Sequence, residues 1–197
     1  MFKIRDENFN IEFAYLDAFV DKDEKLLTFG LQIKAEGKEN VFDSEEPHFN
    51  SEVLLKIEPN KIKKWKDIAG KIIQWKDYPD EEEEPHALFY VFEHEAVYNA
   101  KIEFENVDNQ IFVKIKALCD INWTKKYSNN IPLEIETKVD FLGVLCGKDT
   151  SEKECKNEIK PYLDIDNLKY VQNKYGVSVL IPNDSNVETN LLVLGEY

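Results

Sequence analysis

The sequence predicts a mainly β protein of the α+β class, with antiparallel sheets packed in two layers and a few short helices. Several segments alternate apolar and polar residues with a period of two, which is the spacing of a half-buried strand. Short polar turns connect most of these segments, and such turns favour antiparallel neighbours over parallel ones. Strands precede most of the predicted helix, an order typical of α+β chains.

The first part of the chain contains a predicted hairpin. Residues 9–20 alternate well enough for a strand, and residues 27–35 place apolar side chains at every odd position. The connector between them is short and polar, as an antiparallel hairpin requires. A further strand is predicted over 52–58. Asn60 is then placed to cap a short amphipathic helix that ends at Gly70.

The central part contains the clearest strand signal. Residues 110–121 have apolar side chains at six successive odd positions, and the short turn before them predicts a hairpin with a strand over 98–106. Residues 87–93 are apolar almost throughout and predict a buried strand. The alternation resumes at Leu133 and changes parity at Gly143, which predicts a β-bulge there.

The last quarter of the chain is predicted to contain two helices. Ser151 and Glu154 have the spacing of a capping box, which predicts that a helix begins there. Asp166 can cap a second short helix, and Gly176 would end it. Two terminal strands are predicted after these helices, over 177–181 and 191–194.

A single β-rich domain is predicted for residues 1–197. Chains of this length often form one unit when they are rich in strands. The run of acidic residues near 76–86 could mark a boundary, but the segments on its two sides have the same character and neither is complete alone. We therefore interpret this stretch as a solvated loop inside the domain.

The charge balance restricts the classes of partner. The chain has 25 basic and 39 acidic residues and a net charge of −14. Its average field repels phosphate backbones and anionic lipid surfaces, so neither nucleic acid nor a membrane is predicted as a partner. A basic protein is the partner that this charge favours.

The cysteines and the first residues indicate a cytoplasmic protein. Cys119, Cys146 and Cys155 are odd in number and form no CxxC pair, which favours reduced thiols in a cytosol. A bridge between Cys146 and Cys155 is the less favoured alternative. The opening residues MFKIRDENFN lack the basic start and apolar core of a secretory signal.

No catalytic residue, metal site or cofactor is predicted. Residues 143–150 resemble a phosphate-binding loop, but the glycine spacing is one residue short and Asp149 stands where a hydroxyl residue should be. No GxSxG motif is present. His86 and His94 would be about 26 Å apart along a straight strand, which is too far for a shared metal ion.

The function predicted from these observations is non-enzymatic binding of a basic protein. A bacterial immunity protein that neutralises a cognate toxin has the same properties of size, charge and compartment. The alternative is a carboxylate-using enzyme or a small-ligand-binding protein with a pocket between sheet and helix. The predicted partner-binding surface combines aromatic anchors with steering carboxylates: Trp75, Tyr78, Asp80, Glu81, Glu82, Glu83 and Glu84.

Overall fold

A computed structural model describes residues 1–76, 85–121 and 129–185. Helix α1 covers Glu152–Ile159, and short 3-10 helices cover Phe42–Ser44, Trp65–Ile68 and Ile165–Asn167. The strands in these described ranges are β1 (Phe2–Ile4), β2 (Glu7–Phe9), β3 (Ile11–Asp21), β4 (Leu26–Ala35), β5 (His48–Ile57), β6 (Ile72–Trp75), β7 (Leu88–Tyr90), β8 (His94–Val107), β9 (Gln110–Cys119), β10 (Ile131–Lys148), β11 (Leu168–Gln172) and β12 (Val177–Pro182).

The strand order closes on itself. β10 pairs with β3, the order continues through β4, β5, β7 and β8, and β9 pairs with both β8 and β10. These seven strands form a closed β-barrel, to which the remaining strands are attached. An odd number of strands cannot alternate in direction around a closed circuit. The barrel therefore contains a parallel pair and is mixed, as the structure shows.

The predicted two-layer antiparallel arrangement is wrong, whereas the mainly β composition is confirmed at 58% strand and 11% helix. The inward residues of a strand alternate in the same way in a sandwich and in a barrel. Alternation alone therefore does not distinguish the two architectures. Closure depends on β9 having a partner at each edge: Ile115 lies opposite Ile102 of β8 and Ile135 of β10.

The chain divides into two compact units. The first contains Met1–Tyr15, Gly30–Leu54 and Ile68–Asp140. The second contains Leu16–Phe29, Leu55–Asp67 and Phe141–Tyr197. The single domain expected for residues 1–197 stays a prediction.

The predicted hairpin between β8 and β9 is confirmed in the first unit. Val107 pairs with Gln110, and the turn residues Asp108 and Asn109 have φ values of 51° and 62°. Asp and Asn tolerate this left-handed region better than most other residues, which suits them to a tight turn. The predicted inward positions of β9 and the residues after it are all buried: Ile111, Val113, Ile115, Ala117, Cys119 and Ile121.

The predicted capped helix is confirmed in the second unit as α1. The Ser151 hydroxyl accepts a hydrogen bond from the Glu154 N–H at 3.4 Å, and the Glu154 carboxylate accepts one from the Ser151 N–H at 3.0 Å. This capping box satisfies N–H groups that a helix leaves unpaired at its start.

The other two predicted helices are corrected by the structure. The segment after Asn60 forms only the 3-10 helix Trp65–Ile68. The segment after Asp166 becomes β11, which pairs antiparallel with β12. Pairing with a neighbouring strand satisfies the backbone groups of this segment, and such a tertiary partner overrides a weak local helix pattern.

Candidate functional site

Five rings form a continuous row in the first unit, and we call them the aromatic row. Phe13 and Tyr15 of β3 are stacked, with ring centroids 4.4 Å apart and an interplanar angle of 4°. The ring of His48 lies 6.0 Å from that of Phe13 and 5.5 Å from that of Tyr90. The ring of His94 lies 4.2 Å from that of Tyr90. The row therefore connects side chains of β3, β5, β7 and β8.

Strand alternation brings the aromatic row to the surface. His48 of β5 and Tyr90 of β7 are half-buried, whereas the adjacent Phe49 and Phe89 are fully buried on the opposite side of their strands. Strand pairing then aligns the rings, because His48 lies opposite Tyr90 and Tyr90 lies opposite His94. Directly opposed residues have Cβ atoms about 5 Å apart, so their side chains meet.

An ion cluster lies beside the aromatic row. The Nζ atom of Lys34 is 3.0 Å from the Glu12 carboxylate and also contacts Glu46. The hydrogen bonds to Glu46 and then to Glu12 raise the pKa of Lys34. The side chains of Glu12 and Glu46 are 45% and 52% exposed, compared with 26% for Lys34. Because two carboxylates surround one ammonium group, the cluster presents negative charge to the solvent.

His48 acts as a neutral member of the aromatic row. Burial, with a smaller contribution from the Lys34 charge, lowers its pKa to about 4. The imidazole is therefore neutral at pH 7, and a group with this pKa is a poor general base there. Its Nε2 atom is buried and has no hydrogen-bond partner within the described residues. The ring contributes apolar packing between Phe13 and Tyr90.

His94 joins the row because the chain reverses after β7. A straight strand over 87–93 would have placed His94 far from that strand's start. The structure instead ends β7 at Tyr90 and begins β8 at His94, so the two residues face each other. In the part of the chain that the structure describes, no group of three or more His, Cys, Asp or Glu residues could hold a metal ion.

Trp75 is the one residue of the predicted partner-binding surface that lies within the described ranges. Its Nε1–H donates a hydrogen bond to the Val97 carbonyl at 2.7 Å, and its ring lies 5.3 Å from the ring of His86. The indole is half-buried and held in place by both contacts. The other predicted residues lie outside the described ranges: Tyr78, Asp80, Glu81, Glu82, Glu83 and Glu84.

The buried carboxylate of Asp120, next to the end of β9, is hydrogen-bonded by neighbouring residues. Asp120 is 6% exposed, and its Oδ1 accepts from the Tyr98 hydroxyl at 2.6 Å and from the Asn130 N–H at 2.8 Å. Burial first, and then the hydrogen bond to Asp120, raise the pKa of Tyr98 to about 12. The adjacent depression has a volume of about 10 Å³. That is room for one water and not for an organic substrate.

The sequence contains one local signal of the aromatic row. Phe13 and Tyr15 have the same parity on a strand whose buried residues, including Ala14 and Leu16, have the opposite parity. Two neighbouring outward aromatic residues are a recognisable surface feature. The contribution of His48 and Tyr90 depends on strand order and register, which local periodicity does not contain.

Comparison of the chain with protein-family models, with curated proteins and with solved structures found no match. Within the described ranges, the helices are all too short or too polar to cross a membrane.

Proposed function

We propose that this chain is a non-enzymatic acidic protein that binds a basic protein partner through the aromatic row. The observation that carries the proposal is the continuous row of five rings, in stacked and edge-to-face contacts, at partly exposed positions. Contiguous exposed apolar surface is uncommon on monomeric proteins and frequently marks an interaction site. Tyrosine is enriched at the energetically dominant positions of protein interfaces.

The charges beside the row support a basic partner. Glu12 and Glu46 lie at one side of it, and Glu93 and Glu95 flank His94 in the sequence. The whole chain has a net charge of −14. Complementary fields of this kind accelerate encounter and select partners more than they add affinity.

Toxin neutralisation in the cytoplasm is the specific form of the proposal. A cognate toxin with a cationic active surface would be masked by aromatic anchors surrounded by carboxylates. The three cysteines are buried and free, which suits a reducing compartment. The alternative is a carboxylate-using enzyme or a small-ligand-binding protein with a pocket between sheet and helix. The space beside the hydrogen-bonded Asp120, at about 10 Å³, is too small to be that pocket.

The test is affinity capture from cells of the source organism with the wild-type chain and with Tyr90→Ala in parallel. We expect the wild type to retain a basic protein and Tyr90→Ala to lose it. With the partner purified, the variant should weaken binding by roughly 30-fold or more, mainly through faster dissociation, as for a truncated interface hot spot. Surface plasmon resonance measures both rate constants.

The matched control is Tyr175→Ala, which removes an aromatic side chain that is 51% exposed and lies outside the row. It should bind like the wild type. Recovery of the same proteins by the wild type and by Tyr90→Ala, with equal kinetics, would refute a role for the row.

The acidic residues near 76–86 give a second kinetic prediction, motivated by five consecutive carboxylates from Asp80 to Glu84. Replacing these five by Asn or Gln should mainly slow association and flatten its dependence on salt, because steering is a screened, long-range effect. Association rates with the purified partner at low and high salt measure this. Unchanged rates at both salt concentrations would leave this run without a role in binding.

A further inference from the structure

Lysines are concentrated in one segment of the second unit. Residues 60–66 contain four lysines and no acidic residue, whereas acidic residues outnumber basic ones by 39 to 25 in the whole chain. Lys61, Lys63 and Lys64 are exposed, and Lys66 is half-buried. This local excess opposes the average charge of the chain, so the segment has a field of its own.

Backbone hydrogen bonds bring a fifth lysine close to this segment. The Asn60 N–H donates to the Pro161 carbonyl, and the Asp164 N–H donates to the Lys63 carbonyl, both at 2.8 Å. Lys160, which directly precedes Pro161 and caps the end of α1, is exposed beside the segment. We call these five residues the lysine patch: Lys61, Lys63, Lys64, Lys66 and Lys160.

The backbone beneath the lysine patch is fixed by packing and by hydrogen bonds. Ile62 is 7% exposed and anchors the segment. The Asp67 carboxylate accepts hydrogen bonds from the N–H groups of Lys63 and Lys64 at 2.8 and 2.9 Å. This carboxylate is thus directed at the backbone and not at the ammonium groups. A preformed surface of this kind loses less conformational entropy when it binds a partner.

Neighbouring carboxylates leave most of the charge of the lysine patch uncompensated. In the part of the chain that the structure describes, the ammonium groups of Lys63, Lys64 and Lys160 form no ion pair. Lys61 pairs with Glu58 at 3.6 Å, but these side chains are 64% and 68% exposed, and ion pairs this exposed are weak. The lysine patch therefore presents positive charge to the solvent.

Trp65 adds an apolar contact area to the lysine patch. Its ring is stacked on that of Phe141, with centroids 5.0 Å apart and an interplanar angle of 19°. The Lys66 Nζ atom lies 5.6 Å from the centre of the indole, which is half-buried. Tryptophan is among the residues that contribute most to binding at protein interfaces. The patch thus combines cations with an aromatic anchor.

We propose that the lysine patch binds an acidic segment of a protein, in the form of a short run of Asp and Glu side chains. Charge complementarity selects this class of partner. The patch is bordered by acidic residues, since Glu58 precedes it in the sequence and Asp164 and Asp166 follow Lys160. A long chain of phosphates would run past these carboxylates, whereas a short acidic segment ends within the patch. This favours a protein segment over nucleic acid.

The lysine patch is separate from the aromatic row, because every residue of the row belongs to the first unit and every residue of the patch to the second. Binding of an acidic segment therefore needs none of the residues that would bind a basic partner. Tyr90→Ala should leave the binding of an acidic peptide unchanged. Failure of one interaction and failure of the other are thus separate results.

The test is fluorescence anisotropy of a labelled oligoglutamate peptide titrated with the folded full chain. We expect saturable binding that weakens as salt rises, because the interacting charges are exposed and screened. Lys63→Glu combined with Lys64→Glu should raise the Kd by roughly tenfold or more, since two attractive contacts become repulsive. In NMR spectra of the isotope-labelled wild type, the peptide should shift the amide signals of Lys63 and Lys64.

The matched control combines Lys116→Glu with Lys174→Glu, which change the net charge by the same amount at exposed positions outside the lysine patch. At physiological salt the control should stay within about twofold of the wild-type Kd, because charges farther away than about 8 Å are screened. Circular dichroism checks that both double variants are folded.

Three results would overturn the proposal. One is the absence of saturable peptide binding by the wild type. Another is equal weakening by both double variants, which would mean that only the net charge matters. The third is tighter binding of an oligothymidylate with the same charge as the peptide, which would assign the lysine patch to nucleic acid.

Discussion

Replacing Ile115 by aspartate is expected to unfold the protein. Ile115 is 1% exposed and lies between Ile102 of β8 and Ile135 of β10, both of which are also buried. A carboxylate at this position would lose its water and gain no partner. That costs several kcal/mol, against a total stability of about 5–15 kcal/mol for a typical domain. Circular dichroism during thermal unfolding measures this loss of stability.

The control for this substitution is Lys116→Gln on the same strand. Lys116 is exposed, and its charge can be removed without burying a polar group. The substitution should change the free energy of unfolding by no more than about 0.5 kcal/mol, as most surface substitutions do. A soluble Ile115→Asp variant with the melting temperature of the wild type would show that β9 does not face the core as the structure has it.

The second large effect is expected for Gly143→Ala in β10. Gly143 has a φ of 129°, which L-residues rarely adopt, and an added Cβ would lie 2.7 Å from the backbone carbonyl oxygen of Leu180. Backbone strain and overpacking each cost about 1–3 kcal/mol. The melting temperature should therefore fall by about 5–15 °C.

Gly70→Ala separates the cost of backbone strain from the cost of overpacking. Gly70 also has a positive φ, at 82°, but an added Cβ would meet no atom within 4 Å. The free energy of unfolding of this variant should fall only by the cost of the backbone strain, about 1–2 kcal/mol. If both glycine variants unfold at the same temperature, the close approach to Leu180 does not contribute to the stability of the second unit.

In β10 the buried residues change from odd to even positions, and this change shows which features a local sequence pattern can predict. The sequence predicted it at Gly143, and the buried residues do change from odd positions, such as Val139, to even ones, such as Val144. The shift in register with β12 nevertheless lies between Leu145 and Gly147, at Cys146, three residues later than the predicted bulge. Side-chain periodicity locates a change of face, whereas the position of the bulge depends on which backbone groups the neighbouring strand can reach.

Local patterns also fail to predict the aromatic row. His48 and Tyr90 lie far apart in the sequence, and nothing local distinguishes this pair from other pairs in the chain. Their contact arises from the pairing of β5 with β7.

The sequence by itself determined the features that depend on neighbours along the chain. These are the buried faces of β4 and β9, the β8–β9 turn and the capping box of α1, because periodicity, positive φ and side-chain caps act within a few residues. The tertiary structure alone decided the closure into a mixed barrel, the conversion of the segment after Asp166 into β11, and the assembly of the aromatic row. Each of these requires one strand to select a partner distant in sequence, and that choice depends on the packing of the whole core and not on any local pattern.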